Sequence, residues 1–206
     1  MAETRAEQKE RTRRAILDAA LDLTADSGLA TLSLRSVAKE VGIVPTAFYR
    51  HFASLDDLGL ALVDESFVSL RAMLRDVRRP ETHDSVVGIA DTSVRILAEH
   101  VRAQRAHFGF IARERAAGPA AVRAAIRHEI ELCEHELATD LARLPDTRTW
   151  STEDLGAVSG LIVTLMVAAA DELLSAPQPR ETAVAETIRT RLRMVLIGAL
   201  NWRSGP

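Results

Sequence analysis

Apolar residues recur along this chain at steps of three and four, and no stretch alternates at steps of two long enough for a convincing strand. That spacing places apolar side chains on one face of a 3.6-residue helix, so the chain can build layers of helices but no sheet. Ile16, Ala19, Ala20 and Leu23 fit it, with Gly28 as a stop. Leu34, Val37, Ala38 and Val41 fit it again behind a capping Ser33, and Gly42 closes that short helix. Pro45 suits a first helical position and opens a third helix running to about Phe52. Ser54 caps a longer fourth, with Asp56 and Asp57 in its first turn and Leu58, Leu62, Phe67, Leu70, Leu74 and Val77 along its apolar face. That face ends before Pro80. Breaks near Gly118-Pro119, Leu144-Pro145 and Pro177-Gln178-Pro179 divide the remainder into about five further helices. The expected fold is all-α, with about nine helices.

Composition narrows the class. A chain of 206 residues that is 47% hydrophobic can bury a sizeable core, and 4% aromatic content with abundant alanine suits helices better than a β-sandwich. The single cysteine, Cys133, excludes an internal disulfide and fits a reducing cytoplasm. The start, MAETRAEQKERTRR, has no apolar run behind its charges and does not read as a secretory signal. The longest uncharged stretch, Leu155–Ala170, falls short of the ~20 residues that span a bilayer, and reads as a helix buried on all sides. No membrane association is expected. A net charge of −3 excludes a uniformly cationic protein, but not a local basic surface.

The most informative stretch is Ser33 to Phe52, SLRSVAKEVGIVPTAFYRHF. It holds two short helices joined at Gly42, where glycine takes positive φ without a steric cost. Ala38 is small where the helices must approach. Val37, Val41, Ile43, Phe48 and Phe52 could lock them at a fixed angle, which is the logic of a helix-turn-helix. Thr46, Ala47, Tyr49, Arg50 and His51 are then left over on an outer surface. Three of the eight aromatics lie within residues 48–52. Tyr49 could be a core residue, but its neighbours favour a hydroxyl on a DNA phosphate.

These residues resemble the TetR family of bacterial transcriptional regulators. The resemblance covers about residues 9–65: a first helix with a basic start, the SLRSVAKEVGI second helix, the FYRHF recognition helix and the Ser-Leu-Asp-Asp-Leu start of the fourth. Gly42–Phe52 and Asp57–Ser66 (DLGLALVDES) are similar to strings of the FabR/DesT-type regulators of unsaturated fatty-acid synthesis, as is Arg113-Glu114-Arg115. The resemblance implies an N-terminal arm and DNA-binding domain over 1–54 and a helical ligand-binding and dimerisation domain over 55–206. Two positions depart from the family's habit. Val44 stands where many members carry a capping Ser or Thr, and Leu55 where many carry a phosphate-binding Lys. Pro45 offsets the first, and Arg50 or His51 could replace the second contact.

The expected DNA-binding set is Arg11, Arg14, Ser33, Arg35, Pro45, Thr46, Ala47, Tyr49, Arg50 and His51. The basic run Arg5, Lys9, Arg11, Arg13 and Arg14 suits phosphates, which add affinity without sequence information. Thr46 or Ala47 suits a thymine methyl, and Arg35 a guanine edge. Further along, Val184, Ile188, Leu192, Val195, Ala199 and Trp202 repeat in steps of four and three, while Gly156 and Gly160 permit close helix approach in the preceding helix. With Leu161 and Leu165 they form the expected dimer interface, a four-helix arrangement about a two-fold axis. Monomer core is the competing reading, and the resemblance favours the dimer. Phe67, Leu70, Leu74, Phe108, Phe110, Ile111, Ile126, Leu137, Leu165 and Met166 are candidate walls for a hydrophobic effector. The resemblance makes an acyl-CoA the first guess, with Arg113 and Arg115 on its phosphates.

Catalysis finds no support: a Gly-rich phosphate loop, G-x-S-x-G, HExxH and CxxC are all missing. His128, Glu131, Cys133 and His135 are the one cluster worth weighing as metal ligands, and a polar helix face explains them better. No cofactor or metal is expected. The sequence therefore reads as a sequence-specific regulator, a repressor, acting on lipid genes in response to a long-chain acyl-CoA or similar ligand. The alternatives are a TetR-type regulator of an efflux or catabolic operon, and a helical small-molecule or metal-binding protein without a DNA role.

Overall fold

The computed structural model describes residues 4–77, 86–144 and 147–203, and no strand occurs among them. The described residues form nine α-helices: α1 Arg5–Ser27, α2 Leu34–Val41, α3 Pro45–Phe48, α4 Leu55–Val77, α5 Val86–Ala103, α6 Arg105–Ala117, α7 Ala120–Leu141, α8 Thr152–Ser175 and α9 Glu181–Leu200. The all-α expectation is met. The breaks expected before Pro80 and at Pro145 lie outside the described residues. Two compact units emerge, one of Met1–Val68 with Ala106–Arg127, the other of Ser69–Arg105 with His128–Pro206.

In the first unit, the caps read from sequence take their expected roles. Ser33 Oγ accepts the Ser36 N–H at 3.0 Å, and Ser54 Oγ accepts that of Asp57 at 3.0 Å. Asp57 answers by accepting the Ala53 N–H at 2.9 Å, so the two donors at this helix start find acceptors. Gly42 sits in the left-handed region at φ 74°, which lets the chain turn from α2 towards α3. Ile16, Val37, Phe48, Leu58 and Leu62 are fully buried, and Ala38 and Phe52 are 1% exposed. Burying each large side chain here contributes roughly 1.5–3 kcal/mol.

Helix α3 is shorter than expected. Regular geometry stops at Phe48, and the chain continues to Phe52 as tight turns in which Arg50 N–H bonds Ala47 O and both His51 and Phe52 N–H bond Phe48 O. Val44 supplies no side-chain cap, so a four-residue helix has little to sustain it.

In the second unit, α5, α8 and α9 pack against one another. Ala90, Val94 and Leu97 of α5, Ala169 and Leu173 of α8, and Ile188 and Leu192 of α9 are buried there. Arg102 pairs with Glu181 at 3.0 Å and Arg193 with Asp91 at 2.5 Å. One expectation is overturned: α8 is not buried on all sides. Leu161 is 54% exposed, and Ala157, Thr164 and Ala168 are exposed on the same stripe. The apolar composition of α8 therefore exceeds what this chain's own core uses. By length and composition α8 could cross a bilayer. It instead carries Glu153 and Asp154 at one end, Asp171 and Glu172 at the other, and packs one face on α5 and α9.

Candidate DNA-reading site

The turn after α2 is built to hold a short helix rigidly. Ile43 N–H bonds Ala38 O at 2.9 Å across the Gly42 turn, closing the last turn of α2. Phe48 and Phe52 stack at 5.8 Å between ring centroids, the i, i+4 pair foreseen from sequence. Tyr49 then stands edge-on to Phe48 at 5.8 Å and 88°, and is 61% exposed. That exposure removes the core reading of Tyr49. Its ring is braced against Phe48.

Around Tyr49 the outer surface carries Val44, Pro45, Thr46 and Arg50, all exposed, with Ala47 partly so. Ser33 and Arg35 at the start of α2 are exposed as well. His51 behaves differently. It is half-buried, and its Nδ1 is enclosed without a hydrogen-bond partner. Burial lowers its pKa, and Lys9, Arg13 and Arg50 add to that effect, so the neutral ring is favoured. Leu55, in the place of the habitual lysine, is half-buried, leaving Arg50 as the exposed cation nearest in sequence.

The basic run at the N-terminus is helical rather than a loose arm among the described residues. Thr4 and Glu7 form a capping box, so α1 begins at Arg5. Its cations have divided roles. Arg14 pairs with both Asp18 and Glu65, while Arg11 is exposed on the same helix. Arg13 is the residue that sequence reasoning undervalued. Its guanidinium lies 4.4 Å from the centre of the Phe52 ring and donates to the His51 carbonyl at 3.1 Å. Arg13 therefore ties α1 to the end of the reading segment, where the cation–π contact is worth about 0.5–1 kcal/mol. No local pattern marks it, because its partners lie 38 residues away.

The remaining expected residues fall into separate settings. Phe67, Phe108, Phe110 and Ile126 are buried in the first unit, and Ile111 is half-buried. Arg113 is turned onto main-chain carbonyls of α1, and Arg115 is exposed. Leu70, Leu74, Leu137, Leu165 and Met166 are half-buried in the second unit. A cleft of about 350 Å³ between α5 and α9 is lined by Asp91, Thr92, Arg95, Glu186, Arg189 and Arg193. It is polar and shares no residue with the expected apolar walls. Of the expected dimer residues, Ile188 and Leu192 point into the unit's own core at 0% and 2% exposure. Val184, Val195 and Ala199 are half-buried, and Leu161 and Trp202 are exposed. Met194, Ile197 and Leu200, which the sequence reading passed over, extend that exposed apolar surface. Among the described residues no three metal-ligating side chains come together, and His135 Nδ1 instead lies 2.6 Å from the Glu131 carbonyl oxygen.

A braced helix-turn-helix with an exposed reading surface is a DNA-binding device, and comparison with known proteins agrees. Residues 16–62 match the family model described as bacterial regulatory proteins, tetR family. A TetR-family regulator from Syntrophomonas wolfei shares the fold at TM-score 0.74 and 12% identity, over 95% of this chain and all of that one. A second, from Streptomyces coelicolor, gives 0.71 and 19% over 93% and 97%. The fatty acid degradation regulator FadR from Bacillus halodurans gives 0.64 and 13% over 98% and 100%. Residues 16–62 are thus similar to the DNA-binding domain of TetR-family regulators, and the chain shares the all-helical fold of solved proteins of that family.

Proposed function

We propose that the protein is a homodimeric repressor in the cytoplasm whose operator affinity is set by an apolar effector of the long-chain acyl-CoA kind, and that its targets are lipid-metabolism genes. The observation that carries the dimer is the uncovered apolar stripe on two adjacent helices: Leu161 on α8 with Met194 and Ile197 on α9, each more than half exposed. Charged residues would normally occupy such positions in a monomer, and contiguous apolar surface of this kind marks an association site. Gly156 and Gly198 meet nothing within 4 Å of a built Cβ, so the chain's own packing does not require them. A second copy placed about a two-fold axis would cover this stripe and bring two reading segments to one operator.

Residues 1–54 serve DNA binding in this reading, and 55–206 serve sensing and dimerisation. Thr46 and Ala47 read thymine methyls, Arg35 a guanine edge, and Tyr49, Arg50 and Arg11 hold phosphates. The acyl effector is supported by the DLGLALVDES and Gly42–Phe52 strings and by the apolar character of the expected walls. The effector acts only if it binds two arrangements of the protein with different affinity. Native mass spectrometry of protein purified without added ligand, followed by duplex titration before and after delipidation, tests the whole reading. A dimer that carries an acyl thioester, and whose DNA affinity changes when it is stripped, is the expected result. An empty dimer that binds specific DNA would remove the lipid, and a monomer indifferent to DNA would remove the regulator.

A further inference from the structure

The segment between α1 and α2 ends one helix and begins another: Gly28 N–H closes onto the Thr24 carbonyl at 3.1 Å, while the Ala25 carbonyl and the Leu29 N–H take their partners from elsewhere. Gly28 takes φ 76°, and the chain passes through a single 3-10 turn, Leu29–Thr31. The last turn of α1 contains no basic residue and does contain Asp26, so nothing on α1 offsets its own negative end. Two consecutive side chains of α6, more than 80 residues away, supply what is missing. Arg113 donates to the Thr24 carbonyl at 2.7 Å and also to the Ala25 carbonyl. Glu114 accepts the Leu29 N–H at 2.8 Å, and its side chain is 1% exposed.

The opposite polarity of these bonds matters. A cation on carbonyls and a carboxylate on an N–H can be satisfied together in one placement of the junction only. Its surroundings are shaped to the carboxylate. A Cβ on Gly28 would lie 3.2 Å from Glu114 Oε1, and one on Gly118 would lie 2.6 Å from Oε2. Leu29 is pinned from a third side, where a Cβ on Gly59 of α4 would come within 2.5 Å of its side chain. From this junction α1 runs back to Arg13, which holds the His51 carbonyl and the Phe52 ring.

We propose that Arg113 and Glu114 are positioning residues for DNA binding: from α6 they fix the α1–α2 junction and, through α1, the orientation of the reading segment 45–52. The proposal rests on the DNA-reading assignment and does not involve the effector. Arg113 is thereby occupied with the protein's own backbone, and not with a ligand phosphate.

The test uses the full-length protein, a duplex enriched from a random pool on the wild type, and an unrelated duplex of equal length. Arg113 is half-buried and its partners are neutral carbonyls, so R113A is expected to fold. It is expected to weaken the enriched duplex by about tenfold, the size of one or two lost charge-assisted hydrogen bonds, with the unrelated duplex unchanged. E114A should lose at least as much, and E114Q should stay within about threefold because its amide oxygen still accepts the Leu29 N–H. Hydrogen exchange over residues 28–32 should quicken in R113A and E114A but not in E114Q. If exchange quickens while the enriched duplex binds as tightly as before, the clamp does not position the reading segment and the proposal fails. Equal loss on both duplexes would instead make Arg113 a phosphate contact and also overturn it. Should the wild type enrich no duplex at all, the DNA assignment itself falls and takes this proposal with it, while exchange still reports whether the clamp exists. Were E114A not to fold, R113A and E114Q decide.

Discussion

Tyr49 and His51 are two residues apart, and the fold gives them opposite settings. Tyr49 is braced on Phe48 and exposed, so removing its hydroxyl should cost DNA affinity and nothing else. Y49F and R50A are expected to lose about 1–3 kcal/mol of binding to an enriched duplex, measured by fluorescence anisotropy, with sedimentation unchanged. His51 was legible as an outward donor, but the structure turns its ring partly inward, where a cationic neighbourhood favours the neutral form. Another histidine makes a stability prediction. His107 Nδ1 lies 3.1 Å from Ser66 Oγ, and burial lowers its pKa, with Arg14 lowering it further and Glu65 and Asp18 opposing. A base whose folded pKa is depressed is protonated first in the unfolded chain, so stability is complete above the ordinary value of 6.5 and is lost as pH falls below it. Urea titrations between pH 7.5 and 5 should show that loss, and H107N should flatten it; an equal slope in the variant would assign it elsewhere. Arg13, Arg113 and Glu114 were not legible as structural residues. Their partners lie 38 to 89 residues away, and no local spacing encodes such a pairing.

At the level of elements, α2 and α4 were readable from their caps, and the end of the uncapped α3 was not. Ser33 and Ser54 announced α2 and α4 because a capping side chain and its donor are three residues apart in sequence. Helix α3 was overestimated because Phe48 and Phe52 keep a helical spacing, and one Phe52 N–H to Phe48 O bond, through residues that are otherwise tight turns. Val44 is 65% exposed in extended backbone, the geometry of an N-cap residue without the side chain for it. V44T should therefore stabilise the protein by about 0.5–1 kcal/mol, seen as a higher midpoint in denaturant. G42A should destabilise by about 1 kcal/mol, since no neighbour lies within 4 Å of the added Cβ and only the left-handed backbone resists it. The α5–α6 boundary at Gln104 carried no proline or glycine signal, and the chain simply closes α5 with a Gln104 N–H to His100 O bond.

For the molecule as a whole, the apolar α8 was misread because sequence counts apolar residues without saying which chain covers them. The uncovered stripe makes a direct prediction: L161E with M194E should shift sedimentation from dimer to monomer, while circular dichroism stays helical. Weak salt-dependent contact with DNA should survive in that variant, because it depends on local cations. Retention of the dimer would place the interface on another face. The division of the chain also has a consequence for its synthesis. The unit that holds the reading segment is discontinuous in sequence, Met1–Val68 with Ala106–Arg127, and lacks its Glu114 clamp until α6 has left the ribosome. Helices α8 and α9, with their uncovered apolar stripe, emerge only afterwards. A nascent chain therefore completes its DNA-reading half before it displays the surface most prone to self-association, an order that limits premature aggregation on the polysome.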